Sequence, residues 1–160
     1  MSRSLTGEQR TLLEKLVQKA RRTFEDDMAT TLEGRYGIHT DDGHVEPTDA
    51  IPLPAAGLAV RTDLVDLLDY LRAEGASPAE ATQRLVREAA FTHLNRLIAV
   101  RVAEAIGLMP ATLSRGLESA GFRDFSEIAP AAAASEWERY ALFVRLCADE
   151  LATDVPALFD

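Results

Sequence analysis

The chain has 160 residues, 47% of them apolar, and a formal net charge of −9. It is long enough for a hydrophobic core and too apolar for a disordered polymer. A single cysteine, Cys147, excludes a disulfide framework within the chain, and such an acidic chain is a poor isolated binder of nucleic acid, whose phosphates it repels.

The N-terminus, Met1-Ser-Arg-Ser-Leu-Thr-Gly-Glu-Gln, holds no apolar signal-peptide core, and no run of about 18 apolar residues occurs. The expected setting is a reducing cytoplasm with no membrane contact. Charge is unevenly spread. Residues 1–22 carry six basic and two acidic side chains, and residues 23–79 carry three basic and twelve acidic.

Thr6-Gly-Glu-Gln9 fits a capping box and predicts a helix over about residues 7–33, ended by Gly34. Leu12, Leu13, Leu16, Val17, Ala20, Phe24 and Met28 recur along it at helical spacing. Glu25-Asp26-Asp27 reads as a solvated face. Glycines and prolines crowd the next stretch, which predicts one long irregular loop over about 34–60. His39 and His44 lie there beside Asp41 and Asp42. Solvated loop residues are the favoured reading over a metal site, because a loose loop loses entropy on assembling one.

Thr62-Asp63 predicts the cap of a short helix over about 62–74, closed by Gly75. Ser77-Pro-Ala-Glu80 combines an N-cap serine, proline at the first position and glutamate at the third. It opens a long helix over about 77–106. Pro110 predicts a short helix over about 111–119, stopped by Gly121, and Pro130 a long one over about 131–153. In the last, Trp137, Tyr140, Ala141, Val144, Cys147 and Ala148 form an apolar stripe. The fold class is all-α, a bundle of about five helices in one domain spanning 1–160. The apolar ending Val155-Pro-Ala-Leu-Phe-Asp160 suggests the N-terminal domain of a longer protein.

No self-contained catalytic chemistry is legible. There is no Walker-type phosphate loop, no Gly-x-Gly-x-x-Gly, no Cys-x-x-Cys and no His-Glu-x-x-His. Cys147, inside an apolar stripe, reads as an inert thiol. No catalytic, cofactor-binding or metal-binding residue is assigned.

The most informative segment is Phe91-Thr-His-Leu-Asn-Arg-Leu-Ile-Ala-Val-Arg-Val-Ala-Glu-Ala-Ile-Gly-Leu-Met109. Leu94, Leu97, Ile98, Val102 and Ile106 predict its apolar face, and Gly107 its end. Asn95 and Arg96 sit within that run. Bonding to neighbouring helices is the favoured role for them, over a surface for nucleic acid or a partner. On that reading, Arg96→Ala costs about 1–3 kcal/mol.

This segment resembles one near the N-terminus of large adenine-specific DNA methyltransferases, of the fused restriction-modification type and of the BREX and DISARM phage-defence type. Asn95, Arg96, Leu97, Ala99, Arg101, Glu104, Gly107 and Leu108 match the family pattern, although its aromatic stands adjacent to the asparagine and Phe91 stands four residues before it. The opening Leu5-Thr-Gly-Glu-Gln-Arg-Thr-Leu-Leu-Glu-Lys-Leu is also similar. The resemblance implies a non-catalytic helical domain that supports the catalytic domain, DNA or a partner subunit. S-adenosylmethionine would be held by the parent enzyme, whose glycine-rich loop and Asn-Pro-Pro-Tyr motif are not in this sequence. The implied partners are that catalytic domain or other defence-system subunits.

Two other classes fit parts of the chain. Residues 102–117 resemble an AraC-type helix-turn-helix, with Leu113 and Leu117 anchoring a recognition helix that bears Thr112, Ser114 and Arg115. The charge blocks suit a helical interaction module without a DNA role. Any DNA contact is expected to be weak and phosphate-directed. Its candidates are Arg10, Lys15, Lys19, Arg21 and Arg22, with Arg115 and Arg123; Lys15, Lys19 and Arg22 share one helical face. A solvated basic face, or one paired with the acidic stretch 23–79, is the favoured reading over that contact.

Overall fold

A computed structural model describes residues 5–154, so the apolar segment 155–160 lies outside the described residues. The described chain is helical. It comprises α1 (Gly7–Tyr36), α2 (Ala55–Ala73), α3 (Pro78–Ala105), α4 (Ala120–Ile128) and α5 (Glu136–Asp154), with short 3₁₀ turns at Thr48–Ala50 and Gly116–Glu118. An isolated antiparallel bridge joins Ile38 and Val45. The chain divides into two compact units, Met1–Thr92 and His93–Asp160, with the boundary inside α3.

Two helix starts follow directly from local chemistry. Thr6 Oγ1 accepts the Gln9 N–H at 3.2 Å, and Gln9 Oε1 accepts the Thr6 N–H at 2.9 Å. Ser77 and Glu80 make the same reciprocal pair, at 3.3 and 2.9 Å. Each box satisfies amides that a helix leaves orphaned at its first turn.

Other boundaries differ from the sequence expectation. Gly34 lies inside α1, which continues to Tyr36 and closes at Gly37 in the left-handed conformation. Burial of the helix end against the core outweighs the cost of a mid-helix glycine, about 1 kcal/mol. The irregular segment is correspondingly shorter than 34–60. The helix expected from residue 62 starts at Ala55, with Pro54 at its N-cap. Thr62 is no cap: its hydroxyl donates to the Leu58 carbonyl one turn back, at 3.0 Å.

No helix forms over 111–115, which are bends and turns. Gly121, the expected stop, lies in the first turn of α4, whose cap is Ser119, accepting the Phe122 N–H at 3.3 Å. The last helix begins at Glu136 rather than 131. Ser135 and Glu138 form a capping box there, with bonds of 2.9 and 3.2 Å.

The first unit is built around Leu32, Ile38, Leu68, Leu71, Ala81, Leu85 and Val86, supported by Met28, Ala29, Tyr36, Val45, Leu64 and Val65. The connection between α1 and α2 is fixed by arginines of α2. Arg61, buried to 5% exposure, donates from Nε to the Tyr36 carbonyl at 2.8 Å, from Nη1 to Thr48 Oγ1 at 2.9 Å, and from Nη2 to the Glu46 carbonyl. Arg72 Nη2 donates to the Gly43 carbonyl at 2.8 Å. Gly43 has φ 73°, and a Cβ there would stand 2.2 Å from the carbonyl carbon of Pro78. Only glycine lets the connection lie this close to the start of α3.

In the second unit Phe122 of α4 packs edge-on to Tyr140 of α5, centroids 5.2 Å apart, and both Phe122 and Phe125 face Phe143. Of the expected α5 stripe, Val144 and Ala148 are buried, whereas Trp137 is exposed.

Replacing Arg61 with methionine keeps the aliphatic bulk and strands buried carbonyls. Urea unfolding should show a loss of about 1–3 kcal/mol, with helical circular dichroism unchanged. An unchanged midpoint would mean that the Arg61 bonds contribute nothing net.

His39 offers a second test. Its Nε2 lies 3.0 Å from Glu46 Oε1, and that bond raises the imidazole above its ordinary value. The unfolded ring titrates near about 6.5. A raised folded value adds stability that is complete below that pH and is lost as pH rises through the folded value. The stability gap between the wild type and His39→Gln should therefore open on acidification toward mildly acidic pH and close at alkaline pH. A gap independent of pH would rule the pair out as its source.

Candidate functional site: the end of α3 and its exposed face

The residues singled out in the sequence fall on the second half of α3. The helix stops where Gly107 takes φ 77°, and the Gly107 and Leu108 amides close on the carbonyls of Glu104 (3.2 Å) and Ala103 (2.9 Å). Beyond it the chain turns through Pro110 and comes back over the Glu104 side chain.

Glu104 organises this turn. Its side chain is 2% exposed. One carboxylate oxygen accepts the N–H groups of Thr112 and Leu113, and both oxygens lie 3.3–3.4 Å from the Ser114 N–H. Arg101 Nη1 stands 3.1 Å away and supplies a countercharge. Thr112, itself buried, donates from Oγ1 to the Pro110 carbonyl at 3.1 Å, and its own carbonyl lies 3.3 Å from the Tyr140 hydroxyl of α5. Burial, and then the Glu104 charge, push the Tyr140 phenol up. A carboxylate committed to amides and an arginine is a structural clamp, with little left to act as a base.

Residues 111–115 are bends and turns, and Gly116 ends the segment at φ 55°. The recognition helix of the helix-turn-helix reading is therefore not formed. Leu113 and Leu117 are half-buried, and Ser114 and Arg115 are exposed on turns.

Arg96 reaches a neighbouring helix as expected, with Nη1 3.4 Å from Asp149 Oδ1 of α5, but both side chains are well exposed, at 39% and 45%. The pair is a surface one, shared with Arg145 at 3.7 Å. Asn95 is half-buried and makes no side-chain hydrogen bond among the described residues.

The expected inward face of α3 is corrected. Ile98, Val102 and Ile106 are exposed, together with Leu108, whereas Ala99, Val100 and Ala103 are buried. Ala99, Val100 and Ala103 face inward, and Ile98, Val102 and Ile106 form an outward stripe at four-residue spacing.

No match is found among protein-family models, curated proteins or solved structures.

The remaining sequence candidates lie elsewhere. Lys15, Lys19 and Arg22 are exposed on one face of α1 in the first unit, whereas Arg21 pairs with Glu25 at 2.8 Å. Arg115 belongs to the second unit. In the connection after α1, Asp41 and Asp42 accept backbone N–H groups of Asp42 and His44, at 2.8 and 2.7 Å. His39 and His44 stand with ring centroids 5.7 Å apart, and no three metal-ligating side chains converge among the described residues. Burial pushes the Cys147 thiol up, away from reactive thiolate. No helix of the described residues is long and apolar enough to cross a membrane.

Sequence reasoning missed one feature here, a cleft of about 270 Å³ between α4 and α5 lined by Arg123, Ser126, Glu127, Glu136 and Arg139. The Ser126 hydroxyl and Arg139 Nε are buried without a partner among the described residues, and Arg139 Nη1 donates to the Pro130 carbonyl at 2.7 Å. These residues come from segments that the sequence divides into separate elements, with no shared motif.

Glu104→Ala should cost about 1.5–3 kcal/mol and raise amide exchange at Thr112, Leu113 and Ser114, with Glu104→Gln losing less. Arg96→Ala should cost only about 0.2–1 kcal/mol, as its exposed pair is screened by solvent. Thermal unfolding and exchange read both. Equal losses for Glu104→Ala and Arg96→Ala would refute this ranking.

Proposed function

We propose that the chain is a non-catalytic helical domain of an S-adenosylmethionine-dependent adenine-specific DNA methyltransferase of the restriction-modification or phage-defence type. Its role is to support the catalytic domain or a partner subunit. The observation that carries this reading is the division of labour on α3. Arg101, Glu104 and Gly107, residues of the resemblance, build and terminate the helix, while Ile98, Val102, Ile106 and Leu108 face outward. An aliphatic stripe of that length left in water marks a surface that another protein element covers. A clamped helix end holds such a stripe in one orientation, which lowers the entropy lost on docking.

Within this proposal S-adenosylmethionine belongs to the catalytic polypeptide. Calorimetry of the 160-residue chain with S-adenosylmethionine should show no stoichiometric binding. The decisive measurement is co-purification with an adenine-methyltransferase polypeptide fused to or encoded beside this chain. Changing both Ile98 and Val102 to aspartate should weaken that association about 30-fold or more, with helical circular dichroism retained. Association unaffected by the double change, or stoichiometric cofactor binding to the chain itself, would reject the assignment.

A further inference from the structure

The first half of α1 is a helix with an apolar stripe that no described residue of its own unit covers. Leu12 is 70% exposed and Leu16 62%, and Leu5, Leu13 and Val17 are exposed beside them. Isolated helices of this length are marginal in water, so the stripe implies a partner. Basic side chains border it: Arg10 and Arg21 on one side, Lys15, Lys19 and Arg22 on the other. Against them this stretch carries only Glu8 and Glu14. Lys15, Lys19 and Arg22 make no ion pair among the described residues.

The same unit presents the opposite chemistry on α2. Val60, Leu67 and Tyr70 are exposed at seven- and three-residue intervals, and Asp63 and Glu74 continue that band in the same rhythm. Asp66 lies next to it. Asp63 and Asp66 are also without an ion pair among the described residues. The two faces are of similar length. At 1.5 Å per residue, Gly7 to Val17 spans roughly 15 Å and Val60 to Ala73 roughly 20 Å.

We propose that the bare basic half of α1 docks on the acidic outer band of α2 in a second copy of the chain, so that two copies exchange their α1 helices reciprocally. A single copy cannot satisfy both faces itself. α1 is one continuous helix whose C-terminal half is fixed by Met28, Ala29 and Leu32 in the core, so its first half cannot fold back onto its own α2. Pairing α1 with α1 would place one basic stretch against another, which costs free energy, whereas α1 against α2 sets Lys15 and Lys19 opposite Asp63 and Asp66. An anionic bilayer is a poorer fit, because the stripe is aliphatic throughout and lacks the aromatic residues that seat interfacial helices.

Sedimentation equilibrium of the full chain tests this. The wild type should be dimeric at low ionic strength. Lys15→Glu with Lys19→Glu, and separately Asp63→Lys with Asp66→Lys, should each weaken the dimer at least about tenfold with unchanged circular dichroism. An equimolar mixture of the two reversed proteins should form dimers again, because each then offers what the other lost. A monomeric wild type, a dimer that survives either reversal, or a mixture that stays monomeric would overturn the proposal. Were the wild type monomeric and retained on duplex DNA through Lys15 and Lys19, the basic face would be a phosphate-binding surface instead.

Discussion

Arg61 is a buried cation that makes no ion pair among the described residues, and the architecture of the first unit depends on how that charge is satisfied. Its guanidinium is neutralised by oxygen dipoles from three places: the Tyr36 carbonyl, the Glu46 carbonyl and the Thr48 hydroxyl. Tyr36 is the last residue of α1, so its carbonyl is one of those a helix leaves without a partner, at the negative end of the macrodipole. One side chain therefore terminates α1, anchors the connection and aligns α2. The fork geometry of arginine makes this possible, since a lysine ammonium is a single point. Placing a charge in the core is tolerable only because its donors meet aligned acceptors.

The second unit solves a similar problem with the opposite sign. After α3 the chain reverses, and the amides of Thr112, Leu113 and Ser114 need acceptors away from water. Glu104 supplies them, and Arg101 balances the charge of Glu104 from the helix surface. In each unit a charged side chain inside a helix holds an irregular segment through that segment's backbone. The sequence of the held segment is thereby left relatively free, apart from the residues that shape the turn.

How much of this was legible depended on how local each interaction is. The boxes at Thr6–Gln9 and Ser77–Glu80 involve residues three apart, and the sequence carries them openly. The box at Ser135–Glu138 is just as local, but Pro130 and the alanines after it form a plausible earlier start. Gly34 and Gly121 read as breakers and lie within helices, because packing of the residues around a glycine outweighs its own helix preference. On α3 two apolar sets alternate around the axis, Ala99, Val100 and Ala103 on one side and Ile98, Val102 and Ile106 on another. Both sets recur at helical spacing, so spacing alone does not decide which of them is buried. Arg61 gave no signal at all, as its acceptors are two backbone carbonyls and a threonine hydroxyl, 13 to 25 residues away. The candidate site was legible as a motif at Arg101, Glu104 and Gly107, but not as a clamp, because the partners of Glu104 are amides that any residue could supply.

α1 is one helix in geometry and two in thermodynamics. From Met28 onward it contributes Met28, Ala29, Leu32 and Tyr36 to a core, and the cost of opening that part approaches that of unfolding the unit. From Gly7 to Lys19 the hydrogen bonds are held by helix propensity and the Thr6 cap alone, so opening there is nearly free. A single copy would carry this segment as a fluctuating arm, fraying from its N-terminus inward. Whatever covers the stripe then does two things at once, removing leucines from water and completing the folding of the helix. Its apparent affinity is lowered by the fraction of time the arm spends unwound.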